Sequence, residues 1–360
     1  MGKLKLYLII AGVLVLTLVG FTSLRSARPI VELKAETLVN IGPFPLTNTI
    51  LTSWIVIVLL ALFFYFATRK MALVPRGVQN FAETVLEAFY NLVIQTVGEK
   101  HGRRFFPVVC TIFLYVVASN WFGLLPAVAT VGKVEPMESH GEVLEEGIVF
   151  DRVAGINMVM PGVPSWPPHE PKSINLELAA DATEEDKVAA LEEATVGLEP
   201  EQEAGVLIPF FRSVNTDING PLALAIISAI FVEYWGISTL GFFRYGSKFL
   251  NVKRLLKGDI LNGAIDLFVG VLEFVAELAR LLSFTFRLFG NIFAGEILFL
   301  VIIFLLPVAA LDMVYGMELF VGLIQAFIFA MLTLVFGIVA VTSHGEGETE
   351  ASEPGPTAPP

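Results

Sequence analysis

Six apolar stretches punctuate this chain, most of them as long as a helix needs to cross a bilayer. They are Leu6–Thr22, Ile50–Ala67, Phe105–Pro126, Leu222–Phe243, Ile260–Leu306 and Met317–Val341. At 1.5 Å of rise per residue, roughly 20 residues span the hydrocarbon core. Charged residues make up 16% of the chain, against about 25% in a soluble domain. The expected fold is therefore all-α: a polytopic helical membrane protein whose two long, tilted C-terminal helices form a hairpin. Ile260–Leu306 is too long for one perpendicular span and carries charges in its first half. It reads as a strongly tilted or bent helix ended by Pro307.

Lysine and arginine in short flanking loops set the orientation of such a bundle. Lys3 and Lys5 precede the first run, Arg69, Lys70 and Arg76 follow the second, and Arg103 and Arg104 precede the third. Arg244, Lys248, Lys253, Arg254 and Lys257 follow the fourth. Placing every cluster inside gives one alternation without conflict, with residues 127–211 outside. The net charge of -12 belongs to that outer segment, where Ala127–Phe211 holds 17 acidic residues against 4 basic. The expected divisions are an anchor or signal-like helix and outer linker (1–48), two transmembrane helices flanking an interfacial helix (49–126) and an acidic extracytoplasmic loop (127–211). Channel-forming helices (212–343) and a disordered tail (344–360) complete the chain. Leu6–Thr22 has a basic start and an apolar core, but no good small-x-small cleavage site follows it.

Val78, Phe81, Ala82, Val85, Phe89 and Leu92 recur at helical spacing, so 77–98 is expected to be an interfacial amphipathic helix. Within the outer segment, Ala180–Glu203 is expected to form an acidic surface helix. The tail from Gly345, rich in Glu, Pro and Gly, has the composition of a disordered segment.

Charges at the bilayer centre cost about 2.5–3.5 kcal/mol on insertion scales and mark functional positions. The last two runs concentrate them: Asp266, Glu273, Glu277, Arg280, Arg287 and Glu296, then Glu318 with Gln325. At ~100° per residue, Ser283, Arg287 and Asn291 share one face, with Glu273 nearby. Glu296, nine residues beyond Arg287, points the opposite way. Two antiparallel helices would bring Gln325 near Arg287 and Glu318 near Glu296. Asp266, Glu277 and Arg280 equally suit structural ion pairs or snorkelling ends. Arg287 and Glu296 have apolar neighbours on both sides and face apart, which does not suit an intrahelical pair.

The chain has no G-x-x-x-x-G-K-[ST] phosphate loop and no H-E-x-x-H. His101, His140, His169 and His344 lie outside the runs without metal-ligand spacing, and the one cysteine, Cys110, excludes an internal disulfide. No cofactor, no metal and no nucleic-acid partner is expected.

The run Phe286-Arg287-Leu288-Phe289-Gly290-Asn291-Ile292-Phe293-Ala294-Gly295-Glu296 resembles the R-L-F-G-N-x-x-A-G-E signature of subunit a of the F-type ATP synthase. Leu323-Ile324-Gln325-Ala326-Phe327-Ile328-Phe329 resembles that family's L-Q-A-F-I-F segment. Asn120 with Leu124-Leu125-Pro126, and Val214-Asn215-Thr216-Asp217-Ile218-Asn219, resemble its N-x-x-x-L-L-P and D-x-N elements. The resemblance covers about 40–343 apart from the outer segment, whose length 131–208 exceeds what the family requires.

The resemblance implies a stator subunit of a rotary ATP synthase that binds no nucleotide itself. Arg287 would be the essential stator arginine. Asn291, Glu296, Glu318 and Gln325 would be polar residues of the proton path, with an acid at Glu318 where some relatives carry His. An outer half-channel would run through Asp217, Asn219, Glu318 and Glu296, and an inner one would open near Glu273 and Ser283. The implied partners are the c-ring, peripheral-stalk b subunits, the remaining ATP synthase subunits and the lipid bilayer of a bacterial plasma (inner) membrane. A secondary cation transporter with a buried Arg–Glu gate would instead show an internal repeat with paired broken helices, and none is visible. A non-transporting assembly scaffold leaves the intramembrane acids without a purpose.

Overall fold

The structure, a computed structural model, describes residues 35–125, 128, 131–139, 142–143, 146–153, 156–158, 173–176, 183–198, 202–247, 249, 260–305 and 311–342. The expectations for Leu6–Thr22, for the basic residues Lys248, Lys253, Arg254 and Lys257, for Pro307 and for the tail lie outside these residues.

A short hairpin, β1 (Thr37–Ile41) and β2 (Phe44–Thr47), leads into α1 (Asn48–Thr68). α2 (Val78–Gly123) is one continuous assignment broken at Gly98, whose φ of 76° and ψ of 165° are not helical. Glycine reaches that backbone region without a Cβ clash, and the chain folds back there. Phe89 stacks on Phe113 at 4.7 Å between ring centroids, and Tyr90 meets Phe106 edge-on at 5.1 Å. The expected helix over 77–98 is therefore present. Its face toward the rest of the chain is Ala82, Phe89, Val93 and Val97, while Val78 and Phe81 are exposed.

After the outer segment come a 3-10 turn (Val214–Thr216), α4 (Asn219–Leu240) and the short α5 (Phe242–Gly246). α6 (Ile260–Leu305) and α7 (Leu311–Val341) follow. Among the described residues, four helical stretches are long and apolar enough to cross a membrane: Asn48–Thr68, Val78–Gly123, Asn219–Leu240 and Met313–Val341. α6, at 46 residues, is roughly 70 Å long. Its charges keep it from reading as a simple span, in keeping with a long tilted helix. Trp54, Ile57, Val58, Leu62 and Phe66 of α1 are all exposed on a chain otherwise this apolar, as suits a helix solvated by lipid.

The outer segment is not plain loop. Strands β3 (Gly132–Pro136), β6 (Glu146–Val153), β7 (Ile156–Met158), β8 (Ser173–Asn175) and β9 (Gln202–Pro209) form one antiparallel sheet. Its order is β3-β9-β6-β7, with β8 also paired to β6. β4 (Glu138–Ser139) and β5 (Glu142–Val143) make a separate small hairpin. The helix expected over Ala180–Glu203 is shorter, α3 (Glu184–Thr195). Thr183 starts it with a capping box: the Asp186 amide donates to the Thr183 hydroxyl at 3.3 Å, and the Thr183 amide donates to the Asp186 carboxylate at 2.9 Å. The Thr183 hydroxyl, which donates to the Asp186 carboxylate at 2.7 Å, and the Thr183 amide hold that carboxyl below its usual range. The helix ends before Gly197, at φ 100°, and Gln202–Glu203 open β9 instead. Met137, Val143, Val149, Ile174 and Leu191 bury a small core beneath the sheet.

The chain forms two compact units. The first contains the segments within 1–54, 119–217 and 291–322, and the second those within 55–118, 218–290 and 323–360. In the second unit, Trp235 stacks on Phe105 at 4.2 Å, and Phe89, Val93, Val109, Ala330 and Leu334 complete a closed apolar core. Phe284 of α6 meets Phe329 and Phe336 of α7 at 5.0 and 5.5 Å. In the first unit, Phe299 near the end of α6 meets Tyr315 near the start of α7 at 6.4 Å. Antiparallel packing of the C-terminal hairpin is thus seen in each unit separately.

Gly337 allows this core to close. A Cβ there would stand 2.8 Å from the Trp235 ring and 3.4 Å from Phe105. Overpacking a filled core costs about 1–3 kcal/mol. Gly337→Leu is expected to lower the thermal stability of the detergent-solubilised subunit, whereas a Leu at Gly246, where a Cβ meets nothing, leaves the melting temperature within a degree or two.

Candidate functional site

The first unit gathers polar residues where the surrounding helices are apolar. The first turn of α1 presents Asn48, Thr49 and Thr52 inward, all buried. Thr52 donates to the Asn48 carbonyl at 2.9 Å and accepts from the Arg212 backbone amide at 3.3 Å. Asn48 donates through Nδ2 to the Pro209 carbonyl at 3.3 Å, and Thr49 donates to the Asp217 carboxylate at 3.2 Å. One face of one helical turn therefore holds the whole segment from Pro209 to Asp217. From the other side, Asn215 Nδ2 donates to Asn120 Oδ1 at 2.7 Å, and Asn120 Nδ2 donates to the Gly322 carbonyl at 2.9 Å. Trp121 Nε1 donates to the Leu319 carbonyl at 3.1 Å.

Held this way, Arg212 points its guanidinium at Glu296, with Nη2 3.6 Å from Oε2. The arginine side chain is 8% exposed and the glutamate 26%. Glu318 is also buried, and its carboxylate lies directly against Gly295, where any Cβ would collide with it. The contact is with Gly295, the residue before the Glu296 that the sequence set opposite Glu318. Several side-chain oxygens buried in this unit make no hydrogen bond to protein, among them Asn48 Oδ1, Ser119 Oγ, Ser213 Oγ, Asn215 Oδ1 and Glu296 Oε2. Native interiors satisfy such atoms with ordered water. This region is built to be wet.

The second unit holds Arg287, half-buried on α6, and Gln325, buried on α7. Glu273 is half-buried, while Ser283 and Asn219 stand at the surface; Asn291 is likewise exposed, in the first unit. The second unit also contains the ion pair that the sequence left open between structural and functional readings. Arg280 bonds Glu277 at 2.7 Å, one turn away, and its guanidinium lies 4.0 Å over the Phe336 ring. Ser228 and Thr333 share a hydrogen bond at 2.8 Å. Ser228, Glu277, Arg280, Phe284 and Phe336 line a cavity of roughly 20 Å³, about the room one water needs. No group of three or more His, Cys, Asp or Glu side chains able to hold a metal occurs among the described residues.

Sequence reasoning missed Arg212 as a partner for Glu296, and it missed the inward face of Asn48, Thr49 and Thr52. A signal for Arg212 was present: a buried acid needs a countercharge, and Arg212 is a lone base beside the polar Ser213–Asp217 segment. Asn48 and Thr49 read only as a polar prelude to an apolar run, since nothing local reveals which side chain they meet 160 residues later.

Asn120 serves two partners at once, so Asn120→Ala strands the Asn215 amide and removes the added bond to the Gly322 carbonyl. Each unsatisfied buried group costs about 1–3 kcal/mol. Thermal unfolding of the solubilised subunit is expected to fall by several degrees for Asn120→Ala. It should fall less for the double Asn120→Ala/Asn215→Ala variant than two independent losses would give.

Residues 50–337 match the family described as ATP synthase A chain. A curated protein named ATP synthase subunit a from Moorella thermoacetica is 26% identical over 310 residues, covering 85% of this chain and 95% of its own length. A protein of the same name from Gloeobacter violaceus is 27% identical, covering 85% and 89%. A third, from Helicobacter pylori, is 23% identical, covering 81% and 90%. A match over that much of the chain, carrying both long C-terminal helices and the residues around Glu296 and Glu318, makes this protein a member of the ATP synthase A chain family.

Proposed function

We infer that the chain is the membrane-embedded proton-channel subunit of a rotary ATP synthase, the static partner past which a ring of carboxylate-bearing subunits turns. The observation that carries this reading is the hydratable cluster of the first unit. The buried acids Glu318 and Asp217, the half-buried Glu296, and several buried polar oxygens that make no hydrogen bond to protein lie among otherwise apolar helices. A protein that only needed to stay folded in lipid gains nothing from such a cluster, because each buried polar group costs free energy unless it is satisfied. A path for protons needs all of them.

In this reading, protons enter from outside along Asp217, Asn219, Glu318 and Glu296 and pass to a carboxylate on the ring. Arg287 stands between this path and a second one opening inward near Glu273 and Ser283. A fixed cation favours the ionised form of a carboxylate brought next to it, so a ring acid reaching Arg287 gives up its proton on the inner side. Asn291 and Gln325 orient groups around the arginine. Ile265, Phe268, Leu272, Val275, Leu282 and Phe286 of α6 are exposed and supply an apolar face on which a ring of helices slides. Each elementary charge moved across the membrane yields ~2.3 kcal/mol per 100 mV, and that drives rotation. The nucleotide chemistry belongs to other subunits, and b subunits of the peripheral stalk hold this chain still. The membrane is the bacterial plasma membrane.

The packing within the second unit supports the orientation. Arg104 hydrogen-bonds Thr239 at 3.2 Å and also Ser238, and it lies 5.6 Å over the Tyr234 ring. Arg104, six residues past the break in α2, thus lies beside the C-terminal end of α4, as it does when both face the cytoplasm. A cysteine introduced at Glu185 in intact cells is expected to react with membrane-impermeant thiol reagents from outside. Reaction only after permeabilisation would invert the topology.

Glu296 and Glu318 are expected to act as one relay. In vesicles carrying assembled complexes, Glu296→Gln or Glu318→Gln should slow ATP-driven proton pumping at least tenfold, and Glu318→His should retain more than Glu318→Gln. Full pumping by both Gln variants would remove these acids from the path.

A further inference from the structure

We propose that Arg212 is a positioning residue of the outer proton path, held by the foot of the outer β-sheet so that it orients and charge-balances Glu296. The proposal rests on the proton-channel reading above, and it assigns a role to a side chain and to a structural module that the reading does not use.

The geometry has three parts. First, Arg212 and Glu296 are oppositely charged neighbours 3.6 Å apart, with the arginine side chain almost fully buried. A carboxylate that passes protons must be neither pinned in a wrong rotamer nor left as an unbalanced charge, and a fixed guanidinium meets both needs.

Second, the arginine backbone is not free to drift. Its amide donates to Thr52, Pro209 is held by Asn48, and Asp217 is held by Thr49. Ser213 is pressed so closely on Gly123 that a Cβ there would lie 2.6 Å away.

Third, the strand that delivers Arg212 is β9, which is flanked on both sides in the sheet by β3 and β6. β3 and β9 pair from Gly132 with Pro209 to Pro136 with Gly205. The Phe210 amide extends the ribbon by donating to the Val131 carbonyl at 3.0 Å. The chain's way into the outer module and its way out are therefore zipped together down to two residues before Arg212. At the foot, Gly132 packs so closely on the Ile208 carbonyl that a Cβ would clash. The outer module splits accordingly. Its distal part, 137–203, is dispensable for transport, whereas the ribbon 131–136 with 205–212 is a rigid arm setting the place of one guanidinium.

The experiment uses the whole complex in membrane vesicles, reading assembly, ATP-driven pumping and potential-driven proton flux. The wild type and Glu296→Gln come first, because they test the proton-channel reading by itself. Against them stand Arg212→Gln, Arg212→Lys and the double Arg212→Gln/Glu296→Gln. A positioning role predicts assembled Arg212→Gln complexes with pumping lowered at least tenfold, and recovery to within threefold of wild type by Lys. In the Glu296→Gln background it predicts less than a twofold further loss. The proposal is overturned by wild-type pumping in Arg212→Gln, or by losses that multiply in the double variant. It is also overturned if Arg212→Gln fails to assemble and the double variant restores assembly, since the pair is then an element of the fold alone. Replacing 137–203 by a two-residue turn is expected to leave pumping within twofold. Gly132→Val, which breaks the foot, should reduce pumping as Arg212→Gln does; wild-type pumping in an assembled Gly132→Val complex would remove the β-sheet from the account.

Discussion

A half-buried carboxylate needs a countercharge, and the arrangement of the first unit follows from how that countercharge is held beside Glu296. Glu296 sits with one oxygen 3.6 Å from the Arg212 guanidinium, and that oxygen makes no hydrogen bond to protein. Removing one member of such a pair typically costs about 3–5 kcal/mol, so the partner must be delivered reliably. Delivery takes a turn of α1 with three inward polar side chains, an asparagine on α2 that bonds two ways, and a strand zipped to β3 as far as Pro209. The second unit needs none of this. Its core of Trp235, Phe105, Phe89 and Leu334 is closed by apolar packing, and its buried pair, Arg280 with Glu277, is satisfied within one helical turn and covered by Phe336.

The apolar runs and the signature from Phe286 to Glu296 made the helices, their approximate ends and the candidate acids legible in the sequence. Helical period is local, and a chain of this hydropathy has few alternatives. The fold-back at Gly98 was legible only as the end of an amphipathic pattern, because a single glycine does not announce a positive φ. The β-sheet of the outer segment was not legible. Its strands are short, its core of Met137, Val143, Val149, Ile174 and Leu191 is gathered from distant positions, and its composition reads as acidic loop. Only long-range pairing, such as β3 with β9 across some 70 residues, makes those fragments strands. The same limit hid Arg212 beside Glu296 and Asn48 beside Pro209.

That sheet gives the acidic segment two roles of different weight. Among the described residues, α3 carries five acids, Glu184, Glu185, Asp186, Glu192 and Glu193, outside the ribbon that leads to Arg212. The ribbon carries the mechanical load. An excess of acid outside also suits a segment that must stay solvated beside a membrane, since net charge keeps a surface from associating.

The central claim is that Arg287 separates two half-channels and does not serve the fold. The most direct measurement is potential-driven proton flux, with ATP synthesis alongside, in vesicles containing assembled Arg287→Ala complexes. The account predicts that assembly survives, because the arginine's partner is a carboxylate passing on the ring and not a fixed group of this chain. It further predicts that synthesis is abolished while protons leak through, and that Arg287→Lys restores little, since an ammonium lacks the planar fork. Normal synthesis in assembled Arg287→Ala complexes, or no assembled complex at all, would contradict it.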